Sequence, residues 1–325
     1  MSERPAAHAF AGFTAPQPVE RLAFVRLLAP LAILGFLSSR FVHVEHWLTN
    51  IGFVVPPRAS ADYRQPLYIP PIPLWLAFLV TIATVLSGLA TTIGYRTRWA
   101  SGIFAALLAY LALADRLEAF TINKLGTVVA IALFASPAGA RFSLDAWLRW
   151  KREPHSPLPT HVTWGNVRFF QGLLVFMYLG SGLAKAAADP ASGKSFGDWV
   201  SDPNTIWSHL HDSYQTAFTY FLATSVPAAA FTLFQYLTLA YELGAPLWFG
   251  VRRLRMVGLA FGLAMHASIG LMFGPVVWFS LLMMVLLFGS FAPLAWLRRP
   301  LEGVWAKVTE GGAGNSPSLS KAARG

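Results

Sequence analysis

The 325-residue chain contains no cysteine. Disulfides, iron–sulfur clusters and thiolate chemistry are therefore excluded. Charge is scarce as well: Asp, Glu, Lys and Arg together make up 12% of the residues. A soluble domain carries roughly 25%, so the composition is that of a polytopic membrane protein. A nucleophile elbow, a paired-histidine metal motif and a phosphate loop are also missing from the sequence. His43 and His46, three apart, come nearest to metal-ligand spacing, and no metal is expected.

What the chain has in abundance is apolar sequence, 55% of all residues. Eight segments approach the roughly twenty residues that a bilayer demands: Leu22–Ser39, Pro73–Tyr95, Ala100–Ala114, Leu125–Ala138, Val167–Ala188, Val226–Gly250, Met256–Phe273 and Val276–Leu294. The fourth is the shortest and reads equally as a half-span or a helix buried by its neighbours. The first lacks a small-residue cleavage site and reads as a retained anchor. The expected fold is an all-α transmembrane bundle over residues 21–297, between a disordered segment 1–20 and a mostly disordered tail 298–325.

The net charge of +10 comes from bases at span ends, not from an aromatic-rich basic module, so no nucleic-acid partner is expected. Arg96, Arg98, Arg141, Arg149, Lys151, Arg152, Arg252, Arg253, Arg255, Arg298 and Arg299 fall on one side. Glu45, Asp62, Asp115, Glu118, Asp189, Asp198, Asp202 and Asp212 fall on the other. The positive-inside rule then places both termini in the cytoplasm of a cell inner membrane. On the outer side, Ser201-Asp202-Pro203-Asn204 predicts the start of a short helix presenting Ile206, Trp207 and Leu210, with Trp199 beside it.

Within these spans the ionisable residues stand out. Lys185 closes the run FFQGLLVFMYLGSGLAKAAA. A lysine at the edge of hydrocarbon either snorkels to the headgroups or serves a function with a partner. Arg168, Gln171, Tyr178, Gly182 and Lys185 recur at helical spacing and share one face, which must look onto protein or a water-filled cavity. Gln235, Thr238 and Glu242 share a face of the sixth span, and Gly258, Gly262, His266 and Gly270 form a small-residue seam on the seventh.

Counting about 1.5 Å per residue puts Glu242 roughly 12 Å and His266 about 15 Å from the inner surface, so these two are expected to pair. Arg168 or Arg26 would reach them from the inner edge. Lys185 falls roughly 20 Å above Glu242, too far for an ion pair. Its expected company is an outer cluster of Asp115, Glu118, Lys124, His43, His46 and Asp189, with Asn123, Lys124, Asp115, Gln171 and Tyr178 lining a substrate cavity. Low dielectric favours the neutral form of an amine. A neutral amine can act as general base toward a lipid-soluble acid such as a quinol.

These residues together resemble the horizontally transferred transmembrane domain (HTTM) family, which includes the membrane domain of vitamin K-dependent gamma-carboxylase. The resemblance rests on Arg26 in LAFVRLLAP, on IGYRTRW at 93–99 and on Ser143-Leu144-Asp145-Ala146-Trp147-Leu148. It continues through Gly182-Leu183-Ala184-Lys185, Glu242 and His266, and covers residues 15–295. It implies that Lys185 matches the lysine that deprotonates the hydroquinone, and hence a menaquinone-like quinone or quinol as cofactor.

Two departures limit what carries over. Ile122, beside Asn123, stands where the carboxylase has a histidine before its fourth span. The large luminal domain that holds the carboxylase's protein substrate has no counterpart in the polar stretch 298–325. Protein carboxylation is therefore not expected of this chain by itself. Three functions remain open: a quinol-type membrane enzyme based on Lys185, a non-enzymatic helper for maturing or exporting a secreted peptide or partner, and a small-molecule transporter. The transporter is disfavoured because no inverted repeat is visible.

Overall fold

The computed structural model describes residues 15–51, 69–114, 121–162, 166–188, 195–210 and 216–313. Helix α1 (Val19–Phe41) is followed by the short α2 (Val44–Leu48), then by α3 (Leu74–Ile93), α4 (Thr97–Ala114) and α5 (Thr121–Phe134). Next come α6 (Leu144–Arg152), α7 (Asn166–Ala186) and two short helices, α8 (Asp198–Ser201) and α9 (Thr205–His209). The chain ends with α10 (Ala217–Ser225), α11 (Ala228–Leu243), α12 (Ala245–Gly250), α13 (Arg255–Met272), α14 (Val277–Phe291) and α15 (Leu294–Ala313). A two-residue antiparallel ladder, Gln17–Pro18 with His161–Val162, ties the entry of α1 to the linker before α7.

All eight expected apolar segments contain helix, but they are not eight equal rods. Five helices, α1, α3, α4, α7 and α13, are long and apolar enough to cross a membrane singly. Two more candidates are bent pairs, α10 with α11 at 114° and α14 with α15 at 103°. Both bends fall at a residue preceding proline, Val226 before Pro227 and Ala292 before Pro293, and both residues hold extended backbone (ψ 132° and 152°). Proline's ring excludes the helical region for its predecessor, and its missing N–H ends the ladder. The short α5 is held by its neighbours: a side chain at Gly126 would meet Ile33 of α1 at 3.1 Å, and Gly102 of α4 receives the ring of Phe134.

Helix α1 is the hub, packing against α3, α5, α14 and α15, with Leu22, Ala23, Ala29 and Leu37 fully buried. Without a hydrophobic driving force in lipid, such helices associate through close packing, which small residues permit. Gly35 of α1 accommodates the ring of Trp278, and Gly289 of α14 lies against Val25. Some hydroxyls inside the spans are satisfied by their own helix; on α3 two are, whereas those of Thr81 and Thr92 are buried without a hydrogen-bond partner among the described residues. Thr84 donates to the Val80 carbonyl and Thr91 to that of Ser87, so neither hydroxyl is stranded in hydrocarbon.

Residues 298–313, read from the sequence as polar tail, belong to α15. Leu297, Leu301 and Trp305 recur on one face and pack against the bundle, with the Trp305 ring edge-on to Phe142 at 5.9 Å. Arg298 bonds Glu20 at 2.8 Å and fastens this helix beneath α1. Residues 1–14 and 314–325, parts of the two expected disordered ends, lie outside the described residues.

Candidate functional site

The polar faces of α7 and α11 meet at Gly182. A side chain there would lie 2.9 Å from the Leu243 backbone nitrogen and 3.0 Å from Glu242 Cβ, so only glycine lets the two helices touch at this level. One turn further along α7, Lys185 Nζ lies 2.6 Å from Glu242 Oε1. Ser181 donates to the same oxygen at 3.2 Å. Glu242 is almost fully buried, whereas Lys185 keeps 24% of its side chain exposed.

This pair corrects the expected separation of the two residues. A depth counted along 226–250 holds only for one straight rod. In fact α11 ends at Leu243, and the chain breaks at Gly244 before α12, which begins with Pro246 in its first turn.

Over the pair sits the loop that carries α8 and α9. The Trp199 ring covers Lys185 Nζ at 4.4 Å, within cation–π range. Gly197 docks onto the end of α7, its N–H donating to the Ala186 carbonyl at 3.1 Å; a Cβ at that position would strike the Lys185 carbonyl at 2.2 Å. The fully buried Gln235 holds the loop down by donating to the carbonyls of Trp199 and Asp202 (3.1 and 2.7 Å) and accepting from Ile206 N–H (3.1 Å). The short outer helix expected from Ser201–Asn204 is present as α9, with Ile206 and Leu210 buried and Trp207 against Phe231.

A pocket of about 390 Å³ opens between these elements, lined by Ser181, Ala184, Lys185, Phe196, Gly197 and Trp199 among others. Its polar side chains are those of Lys185, Ser181 and Asp198; the Lys185 amine and the Ser181 hydroxyl both bond the Glu242 carboxylate behind them. The other carboxylate oxygen, Oε2, is buried without a hydrogen-bond partner among the described residues. Such atoms are rare in folded proteins and call for a functional or solvent-based explanation.

His266 does not pair with Glu242 as expected. Its Nε2 shares a 2.8 Å hydrogen bond with the Tyr178 hydroxyl, and both residues are buried. Tyr178 packs edge-on to Tyr241 at 5.2 Å, and the Tyr241 hydroxyl, bonded to the Gly258 carbonyl, fills the space beside Gly262. The glycine seam of α13 thus admits an aromatic layer directly beneath the Lys185–Glu242 pair.

The remaining expected site residues are elsewhere. Arg168 is exposed and donates to Gln171 (3.2 Å), which in turn donates to the Ser290 carbonyl (2.8 Å) and so joins α7 to α14. Asn123 is buried in α5 and Lys124 is exposed on it; neither lines the pocket. His43 and His46 flank Glu45 on and beside α2, at 3.8 and 3.6 Å. Asp115, Glu118 and Asp189 lie outside the described residues. Among the described residues no group of three His, Asp or Glu is placed to hold a metal ion.

Arg26, expected to reach the inner edge of the Glu242 site, anchors a second cluster instead. Its fully buried guanidinium donates to the carbonyls of Thr91, Thr92 and Phe142 (3.2, 2.5 and 2.5 Å). Gly94 adopts φ 74° between Arg26 and Ser143, where any Cβ would collide with both. Asp145 accepts from the backbone N–H groups of Arg96 and Thr97 and from the Thr97 hydroxyl (2.7, 2.8 and 2.7 Å). Ser143 caps α6 by accepting from Ala146 N–H. Arg96 and Phe142, both non-glycine residues at positive φ, flank this lock. The six sequence features behind the family resemblance therefore fold into two clusters. Arg26, 93–99 and 143–148 form a lock at the end expected to be inner, hereafter the inner lock. Lys185, Glu242 and His266 belong to the site at the opposite end, expected to be outer, and to the layer next to it.

The polar stripe in the sequence pattern does not single out Ser181, and the pattern places Trp199 only beside the short helix. Ser181 carried a usable signal, because it lies four residues before Lys185 on the same helix face.

The class defined by this architecture is a polytopic, all-α membrane protein with a Lys–Glu pair, its carboxylate buried, at one end of its bundle. Residues 16–296 match the HTTM domain, and the chain belongs to that family. Neither the curated proteins nor the solved structures yield a significant match.

Proposed function

We propose that this chain is a membrane enzyme whose Lys185–Glu242 pair removes a proton from a lipid-soluble acid of the quinol class. The observation that carries the reading is the asymmetry of the pair: Lys185 lines the pocket, while the carboxylate it bonds is buried behind it. The pocket volume falls within the roughly 300–1,000 Å³ of small-molecule sites. Phe196 and Trp199 offer flat aromatic walls to a ring. In this reading the arginine-rich end of the bundle faces the cytoplasm of the inner membrane, and the Lys185 pocket faces outward.

The proton steps balance within the pair. An N–H bond of the Lys185 ammonium breaks as an O–H bond forms on Glu242, which leaves a neutral amine. The substrate O–H then breaks as a new N–H bond forms at Nζ. The products are an oxyanion, an ammonium beside it and a protonated Glu242. The ammonium stabilises the oxyanion, and the indole of Trp199 restricts access of water to both.

The test is the absorption spectrum of a short-chain menaquinol added to the full-length protein in nanodiscs. The expected result is the spectrum of the quinol anion with wild type and of the protonated quinol with Lys185→Arg, since arginine stays protonated and cannot serve as base. A protonated quinol bound to wild type, or no binding at all, would overturn the enzymatic reading and favour an accessory role in maturing an exported peptide or partner.

A further inference from the structure

A second pocket, of about 1,040 Å³, opens at the opposite end of the bundle from Lys185, where α3 turns into α4 and α5 gives way to α6. Its wall carries four arginines, Arg96, Arg98, Arg149 and Arg152, and one acid, Asp145, among the described residues. That acid is engaged by two backbone N–H groups and the Thr97 hydroxyl of the inner lock. Arg149 is held in place by donating to the carbonyls of Gly139 and Ala140 (3.0 and 2.9 Å). Arg98 lies over the ring of Phe134 at 5.8 Å.

This concentration of cations suits an anion with several acceptor oxygens, and arginine forks match phosphate in particular. The surroundings indicate what the phosphate is attached to. Trp99 and Ile103 of α4, with Ile131 and Phe134 of α5, are large apolar side chains 73%, 51%, 50% and 40% exposed, on the two helices that rise from the pocket. Exposed apolar side chains at helix ends are the lipid-facing surface of a membrane protein, with Trp and Tyr at headgroup level.

We propose that this arginine pocket binds the phosphate of an anionic phospholipid, whose acyl chains lie along the exposed apolar strip of α4 and α5. The site is independent of the Lys185 pocket. It would seat the inner lock, and therefore the α3–α4 and α5–α6 turns, against one lipid headgroup at the membrane surface.

Native mass spectrometry of the detergent-purified full chain tests this with phosphatidylglycerol, phosphatidylcholine and soluble glycerol phosphate as competing probes. Wild type should retain phosphatidylglycerol over phosphatidylcholine and should not retain glycerol phosphate. The Arg98→Gln/Arg152→Gln double variant should lose roughly thirtyfold in retention, about fivefold per arginine removed. The exposed Arg252→Gln/Arg253→Gln pair should leave retention unchanged. Equal retention of the two lipids by wild type would overturn the proposal even if the pocket variants fail to fold. Glycerol phosphate retained as well as phosphatidylglycerol would overturn the lipid assignment and show a site for soluble phosphates. Undiminished retention by a folded pocket variant would place lipid binding elsewhere.

Discussion

Gln235 Nε2 donates to the backbone carbonyl of Trp199, the residue whose indole lies over Lys185. One buried amide on α11 thus sets the position of the cover over the pocket. Gln235→Leu removes two donated bonds and the acceptor for Ile206 N–H, and a group left buried and unpaired costs about 1–3 kcal/mol. The expected outcome is a lower melting temperature in detergent together with new protease cleavage between residues 195 and 210. Unchanged cleavage with lowered stability would show that the loop is held by its apolar contacts alone.

Gly182 and Gly180 form an internal control on α7. A methyl group at Gly182 meets the Leu243 backbone at 2.9 Å, whereas at Gly180 it meets nothing within 4 Å. Gly182→Ala should therefore destabilise by about 1–3 kcal/mol through overpacking and push Lys185 away from Glu242. Gly180→Ala should be neutral or mildly stabilising. Thermal unfolding of the two variants side by side checks this, and equal effects would mean that α7 and α11 are not in close contact.

Tyr178 and His266 should be energetically coupled, and Glu242 and His266 should not. A double-mutant cycle for Tyr178→Phe with His266→Ala should give an interaction of roughly 0.5–3 kcal/mol. The cycle for Glu242→Gln with His266→Ala should be close to additive. The reverse ranking would restore the direct Glu242–His266 contact suggested by their similar depth in sequence.

The inner lock is expected to govern assembly more than chemistry. Gly94→Ala places a side chain at positive φ, 2.4 Å from Ser143 Cβ and 2.5 Å from the Arg26 guanidinium. Asp145→Asn exchanges one acceptor oxygen for a donor that faces N–H groups. Both variants should reduce the yield of folded protein in size-exclusion chromatography, with quinol binding per folded molecule unchanged. A well-folded Gly94→Ala protein that no longer binds quinol would instead connect the lock to the outer site.

Helix faces were legible in the sequence because side-chain spacing is a local property. Gln171, Tyr178, Gly182 and Lys185 share a face of α7, Gln235 and Glu242 share one of α11, and the glycines flanking His266 do form a packed seam. Depth was not legible, because it depends on where helices break. Pro227 and Gly244 both stand in the sequence, yet neither fixes a bend angle or the level at which α11 meets α7. Partners that are backbone carbonyls are equally invisible in side-chain patterns, which is why Arg26 was assigned to Glu242 and not to Thr91, Thr92 and Phe142. Trp199 reaches Lys185 only through a loop closure that no spacing rule encodes.

Infrared difference spectroscopy of the full-length protein in nanodiscs, recorded on adding menaquinol, follows the transferred proton to its acceptor. Wild type should gain a protonated-carboxyl C=O band that is absent from Glu242→Gln and from Lys185→Arg. Quinol binding without that band, or the same band persisting in Lys185→Arg, would contradict proton transfer through Lys185 to Glu242.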